Sequence, residues 1–322
     1  MDAVRDKDTL LITGANGFVG RALCNYASSL GFQVKALTRT EYGFSDGIQN
    51  VVCGDLNSPR LLLDAMHGVD VVVHLAARVH VMQESSSDAL AAYRAVNVDL
   101  TLNLAKQAAA TGVRRFIYMS SIKVNGERTE VGNAFDADDI PAPEDPYGVS
   151  KMEAENALFE FSRLTGMEVV IIRPPLIYGP GVGANFMAMM HWLARRVPLP
   201  LGAINNRRSM VALNNFLSLI VTCISHPKAA GQVFLVSDDQ DVSVTQLLKK
   251  LARAMKIPAV LVPVPVAVIK LVAAILGKSA VAQRLCDNLQ VDIKKTKVIL
   301  NWAPPLNVDD GLKVTTDWYL SQ

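Results

Sequence analysis

The sequence predicts an α/β protein with a doubly wound parallel sheet and a smaller C-terminal lobe. Short apolar runs alternate with longer helical patterns through the first half, as repeated strand–helix–strand units require. Most of those runs are rich in Val, Ile and Leu without clean alternation, so they read as strands buried on both faces. Beyond residue 173 the texture changes to RPPLIYGPGVGANF, dense in Pro and Gly, and the main lobe boundary is expected there.

Taken in order, strands are expected at 9–13, 33–38, 50–53, 70–75, 115–120 and 168–173. Helix-forming segments lie between them at 20–30, 59–66, 88–110 and 146–164. Residues 232–236 form a further strand candidate, so a portion near 211–236 is expected to return to the sheet. Residues 1–173 are thus assigned to the first domain and 174–322 to a second, interleaved lobe. From 259 to 276 the chain is almost wholly apolar, but Pro263, Pro265 and Lys270 interrupt it before the ~20 residues a bilayer span needs. It is read as buried or interfacial structure, and no integral membrane segment is expected.

The chain has 322 residues, 50 % hydrophobic and 19 % charged, which excludes the composition of a disordered protein. Lys and Arg number 32 against 30 Asp and Glu, a balance of +2 that disfavours a nucleic-acid binder. Cys24, Cys53, Cys223 and Cys286 show neither CxxC spacing nor a nearby His cluster, so no metal site and no disulfide framework are expected. With no export signal at the N-terminus, a cytoplasmic location is expected.

The first strand runs into TGANGFVG. Gly14 permits the tight turn, Gly17 lets backbone approach a diphosphate, and Gly20 allows close helix packing, while the helix start supplies free N–H groups. Because strand, turn and helix open the domain in that order, the segment is read as the dinucleotide loop of a Rossmann domain. The second strand ends in Thr38-Arg39 and has no acidic residue there to accept from a ribose. An Arg suits a 2′-phosphate, so NADP(H) is favoured, with NAD(H) possible.

Tyr147 and Lys151 stand four apart after Pro146, on one face of a helix's first turns. A phenol titrates near 10 and needs its anion stabilised for acid–base work near neutrality, which a neighbouring ammonium provides.

These pieces resemble, in order, those of the extended short-chain dehydrogenase/reductases. The match includes the GxxGxxG turn, Gly54-Asp55-Leu56, His74-Leu75-Ala76-Ala77, Asn97, Ser120-Ser121 and the YGVSK motif, and it covers nearly the whole chain. The resemblance implies a catalytic set of Ser121, Tyr147 and Lys151, with Asn97 bracing the lysine through water and Ser120 the fallback serine. On the cofactor side it implies Gly14, Asn16, Gly17, Phe18, Val19, Gly20, Arg39, Asp55, Leu56, Leu75, Ala76, Ala77, Tyr147, Lys151 and Pro174. Asp55 and Leu56 would flank the adenine, and Ala76 and Ala77 the nicotinamide. A homodimer through the helices at 88–110 and 146–164 is also implied.

The second lobe resembles the nucleotide-sugar branch of that family. Asn185 and Arg208 match residues that hold the diphosphate, with Arg207 an alternative, and Leu201 lies in the segment along the base. Arg78 and His80 are candidates to reach the sugar, with Ser121 and Tyr147 at the reacting carbon. Ile122 and Lys123 stand where 4,6-dehydratases carry Asp-Glu, which disfavours dehydration, and Leu176 replaces the Asn common in epimerases. The string MSSIKVNGE, with DPYGVSKMEAE beyond it, resembles bacterial 4-reductases of UDP-4-keto-6-deoxy-N-acetylhexosamines. The implied partner is therefore a UDP-sugar. A UDP-hexose or UDP-N-acetylhexosamine 4-epimerase with bound NAD is the alternative, and a catalytically idle cofactor-sensing protein is an alternative of another class.

Overall fold

Among the described residues nine strands form, β1 Thr9–Thr13, β2 Gln33–Thr38, β3 Ile48–Val52, β4 Val71–His74, β5 Arg115–Met119, β6 Glu168–Arg173, β7 Leu176–Tyr178, β8 Met210–Ala212 and β9 Gln232–Leu235. The computed structural model describes residues 8–54, 59–79 and 88–322. Seven strands pair in parallel in the order β3-β2-β1-β4-β5-β6-β9, and β7 and β8 pair separately. Asp55, Leu56 and His80 lie outside the described residues.

Alternate residues of each central strand feed opposite layers, as a pleated strand requires. Leu10, Ile12, Val71, Val73, Ile117, Val170 and Ile172 pack with helices α1 (Phe18–Ser29) and α7 (Leu213–Ser225). Leu11, Val72, Phe116, Tyr118, Val169 and Ile171 pack on the other side with α2 (Pro59–Met66), α4 (Leu100–Ala110) and α5 (Pro146–Thr165). Apolar side chains therefore occupy both faces, which is why these strands lack polar alternation. At the sheet edge, β3 departs from that reading: it starts two residues earlier than expected and is only half-buried, because one of its sides has no neighbouring strand.

The segment expected as one helix over 88–110 is three pieces. These are α3 (Ala89–Arg94), a π-helical turn (Ala95–Asp99) and α4. The wider turn carries Asn97 inward, where it is 1 % exposed, and such bulges commonly re-aim a functional side chain.

A second core unites Tyr178, α6 (Ala184–Ala194), α8 (Val244–Ala254) and α12 (Val308–Leu320). The lobe also holds α9 (Val266–Ile275), α10 (Ser279–Cys286) and α11 (Lys294–Leu300). Of the two readings of the apolar stretch, buried or interfacial, burial is not found: no residue of α9 is buried. Among the described residues no helix is long and apolar enough to cross a membrane.

Candidate active site

Strand order reverses beside β1, which has β2 on one side and β4 on the other. In a parallel sheet this switch point opens a crevice at the strands' C-terminal ends. The glycine turn lies across it. Gly14 has φ +64°, and a Cβ there would come within 2.8 Å of the Ala76 backbone nitrogen. At Gly20 a Cβ would sit 2.1 Å from the Gly14 carbonyl oxygen, so any side chain would force α1 off the turn. Gly17 starts α1 with no side-chain cap, and exposed Asn16, half-buried Phe18 and buried Val19 complete the turn. First-turn amides not met by a side chain fit an anionic diphosphate. Buried Leu75 and half-buried Ala76 and Ala77 follow β4, with the Ala76 amide donating to Thr13 Oγ1 at 3.2 Å. Arg39 is exposed just beyond β2, while the Thr38 hydroxyl is turned inward to Asn50 Oδ1 at 2.9 Å.

Tyr147 is positioned by the start of α5. The Asp145 carboxylate accepts from the Gly148 amide at 2.7 Å, and Pro146 opens the first turn. The phenol hydrogen-bonds to Ser121, and the Tyr93 ring meets its edge at a centroid distance of 6.0 Å. Burial pushes the phenol up to about 12, against the Ser121 bond, which lowers it. Of the two serines, Ser120 is spent elsewhere, its hydroxyl donating to buried Glu155. Lys151 lies one turn beyond Tyr147, almost fully buried, and donates to the Met119 carbonyl at 2.8 Å. Its ammonium sits 4.5 Å above the Tyr118 ring and 5.9 Å from the Tyr147 ring. The expected lowering of the Tyr147 phenol by this ammonium is therefore not found. The lysine faces Tyr118 and a carbonyl, and burial governs the phenol.

Asn97 braces a loop with its side chain. Its amide oxygen accepts from the Arg78 amide at 2.9 Å, and its Nδ2 donates to the Arg78 carbonyl and to Ser150 Oγ. Only its backbone carbonyl turns toward the lysine's surroundings, accepting from the Tyr118 hydroxyl at 3.4 Å. The Arg78 guanidinium is held 5.6 Å over the Tyr93 ring. Behind Tyr118, His74 bridges Thr13 Oγ1 at 2.7 Å and Thr101 Oγ1 at 3.0 Å. Burial drives His74 down to about 3, so it stays neutral.

Burial likewise lowers Lys151 to about 7, although Glu155 pulls upward. Between about pH 7 and 10 the folded chain has shed this proton and the unfolded chain, with an ordinary lysine near 10.4, retains it. The unfolded state binds more protons there, so the lysine makes stability rise with pH by about 1.4 kcal/mol per unit; below about 7 both states are protonated and the slope vanishes. Lys151→Met is expected to remove this rise. Urea unfolding of both proteins across that range checks it, and equal slopes would contradict it.

A buried network supports the C-terminal end of β5. Arg173 holds Glu155 through Nε and Nη2, at 2.9 and 2.6 Å, and reaches Asn125 Oδ1 through Nη1 at 2.9 Å. The Ile122 amide donates to the carbonyl of buried Pro174. Ile122 is buried and Lys123 is tied to Glu127 and Asp145, at 2.6 and 2.5 Å, so neither supplies the acid and base of a dehydration. Glu155 was not singled out in the sequence, although it continues the four-residue repeat 147, 151, 155; His74 entered only within its motif, and Tyr93 and Tyr118 carried no spacing signal.

In the second lobe, Asn185 is exposed in the first turn of α6, whose Gly183 cap makes no side-chain bond. Leu201 is buried. Arg208 is half-buried, donates to the Asp287 carbonyl at 3.1 Å, and is lowered from its usual range by burial. It also feels Glu127, the partner of Lys123, while Arg207 is exposed. Ser121, Tyr147, Lys151, Asn97 and Arg78 are thus gathered at the ends of β4 and β5. Arg208 is instead tied to the Asp287 carbonyl and feels Glu127, the partner of Lys123.

Residues 10–237 match the model of the NAD dependent epimerase/dehydratase family. The chain is 47 % identical to a UDP-glucose 4-epimerase of Vibrio cholerae, covering 97 % of this chain and 95 % of that protein. It is 29 % identical to a GDP-6-deoxy-D-mannose reductase of Pseudomonas aeruginosa, over 76 % and 79 % of the two. Among solved structures, RMD from Pseudomonas aeruginosa complexed with NADPH superposes with a TM-score of 0.76 at 24 % identity, covering 98 % of this chain and 100 % of that one. With a glycine turn at the switch point and a Ser, Tyr and Lys set beside it, the chain belongs to the NAD dependent epimerase/dehydratase family, within the extended short-chain dehydrogenase/reductases.

Proposed function

We propose that the protein is an NAD(P)H-dependent nucleotide-sugar enzyme that reduces the C4 keto group of a UDP-4-keto-6-deoxy-N-acetylhexosamine. The product is UDP-N-acetylquinovosamine or UDP-N-acetylfucosamine, for bacterial surface-polysaccharide synthesis. One observation carries the choice of net reduction: β2 closes on Thr38 and exposed Arg39, with no carboxylate at either position. That end suits a 2′-phosphate, and hence a reductant that is consumed and replaced.

A nicotinamide dinucleotide, when bound, supplies the hydride. Gly14, Gly17, Gly20 and the α1 start would hold its diphosphate, Arg39 its 2′-phosphate and Lys151 its nicotinamide ribose. Tyr147, raised to about 12, keeps its proton at neutral pH and delivers it to the oxygen growing on C4. Ser121, bonded to that phenol, steadies the same oxygen. Asn185 and Arg208 meet the diphosphate of the sugar nucleotide, and Leu201 lines its base. Leu176, half exposed just beyond Pro174, offers an apolar neighbour suited to a 6-deoxy carbon.

A second reading, 4-epimerisation with retained NAD, is favoured by the name of the Vibrio cholerae relative. Two assays separate them. Oxidation of NADPH with the product of a UDP-GlcNAc 4,6-dehydratase supports the reductase. Interconversion of UDP-GlcNAc and UDP-GalNAc, or of UDP-glucose and UDP-galactose, without added reductant would replace it with the epimerase. Arg39→Ala is expected to weaken NADPH binding about 10- to 100-fold, the worth of a charge-assisted contact, and to leave NADH unchanged. Unaltered NADPH affinity would remove the cofactor assignment.

A further inference from the structure

The helical hairpin of α9 and α10 carries apolar side chains where a water-facing surface should be polar. Val268, Leu271, Val272 and Ile275 recur at helical spacing on one face of α9, at 45, 62, 48 and 76 % exposure. Leu276 and Val281 extend the patch around the turn into α10. The opposite side of α9 already packs on the second-lobe core through Val266 and Ile269, so the exposed row is surplus to folding. Contiguous exposed apolar surface of this kind marks an interaction site.

Its charge identifies the occupant. From residue 257 to 286 the chain carries Lys270, Lys278 and Arg284 and no Asp or Glu. Lys270 is paired with Asp287 at the rim, leaving a basic border on an apolar strip. A second copy docked face to face would bring two basic borders together with no Asp or Glu between residues 257 and 286 of either copy to offset them, since a two-fold interface repeats the same patch. An anionic lipid surface instead satisfies both the apolar row and the cations. Ten residues of helix reach about 15 Å, half a bilayer core, so the hairpin lies along the interface rather than across it.

Both ends of the hairpin are stitched to one segment. Ahead of α9, the Val262 amide donates to the Leu199 carbonyl at 2.8 Å, and the Gly202 amide to the Val262 carbonyl at 2.9 Å. At the end of α10, Asn206 Nδ2 donates to the Leu285 carbonyl in its last turn and to the Asp287 carbonyl beyond it, and Arg208 donates to the latter. The segment from 199 to 208 that carries Leu201 and Arg208 is therefore the floor on which the hairpin stands.

We propose that the α9–α10 hairpin docks the protein on an anionic membrane surface, through Val268, Leu271, Val272 and Ile275 with Lys278 and Arg284 at the rim. This docking goes beyond the reductase reading and does not depend on which sugar reaction is catalysed. The test is flotation of the full chain with phosphatidylcholine vesicles, with and without phosphatidylglycerol, at low and high salt. Binding is expected with phosphatidylglycerol, weakened by salt. Leu271→Glu/Ile275→Glu is expected to reduce it about tenfold or more, and Lys278→Glu/Arg284→Glu to abolish the dependence on anionic lipid. All four positions are at the surface, and an unchanged thermal midpoint checks that both variants fold. No binding of the wild type, or equal binding by the apolar-face variant, would overturn the proposal. So would a wild-type dimer in light scattering that this variant dissolves while vesicles are ignored, since the occupant would then be a second copy.

Discussion

Tyr147→Phe is expected to lower kcat by about 10²- to 10⁴-fold, the usual weight of a positioned general acid, while dinucleotide affinity stays unchanged. The substitution removes one oxygen and keeps the ring that packs edge-on against Tyr93. It thereby deletes the proton that Ser121 helps to aim. With the phenol at about 12, almost every molecule holds that proton at neutral pH, which suits donation to a growing alkoxide. Ser121→Ala should lose less, and the double variant no more than Tyr147→Phe alone, because the two act on one oxygen as a unit. Single-turnover kinetics with a titration of cofactor fluorescence separate the chemical step from binding. Retained kcat in Tyr147→Phe would remove the assignment.

The parts of this site that were legible in the sequence are those fixed by local geometry. Gly14 and Gly20 are set by a turn whose backbone approaches leave no room for a Cβ, and Tyr147 and Lys151 by the pitch of one helix. Strands β1 and β6 were legible with their bounds because burial on both faces writes an uninterrupted apolar run, and β2 was legible although Lys35 interrupts its run. What tertiary contact decides was not legible. The π-helical turn at Ala95–Asp99 exists to bring Asn97 against Arg78 and Ser150, partners distant in the chain. Lys151 is aimed by Tyr118 and the Met119 carbonyl from a neighbouring strand, so its distance from the phenol could not be read from a four-residue spacing. For the stretch containing α9, composition left burial and an interfacial place both open, since it reports what a segment is made of and not which neighbours the fold supplies.

Arg173→Met is expected to destabilise the protein by about 3–5 kcal/mol, because it strands the Glu155 carboxylate in the interior. That carboxylate is 3 % exposed and meets the guanidinium at 2.6 Å through a two-pronged contact. Ser120 would remain its hydrogen-bond partner, and Lys151, which feels the carboxylate only at a distance, does not replace the lost two-pronged contact. The double variant Arg173→Met/Glu155→Leu removes both charges and should recover most of the loss, since an apolar pair of similar volume avoids the desolvation that the ion pair bears. Recovery will be incomplete, because Ser120 Oγ and Asn125 Oδ1 each lose a buried partner. Urea midpoints of the wild type, both single variants and the double variant give the coupling energy. A double variant no more stable than Arg173→Met would show that the polar partners, and not the unpaired charge, dominate. The same cycle read in kcat tests positioning. Glu155 fixes the residue adjacent to Ser121, so a double variant that regains stability should still turn over more slowly than the wild type. Full activity in that variant would separate the network from the chemistry and leave it a purely structural clamp.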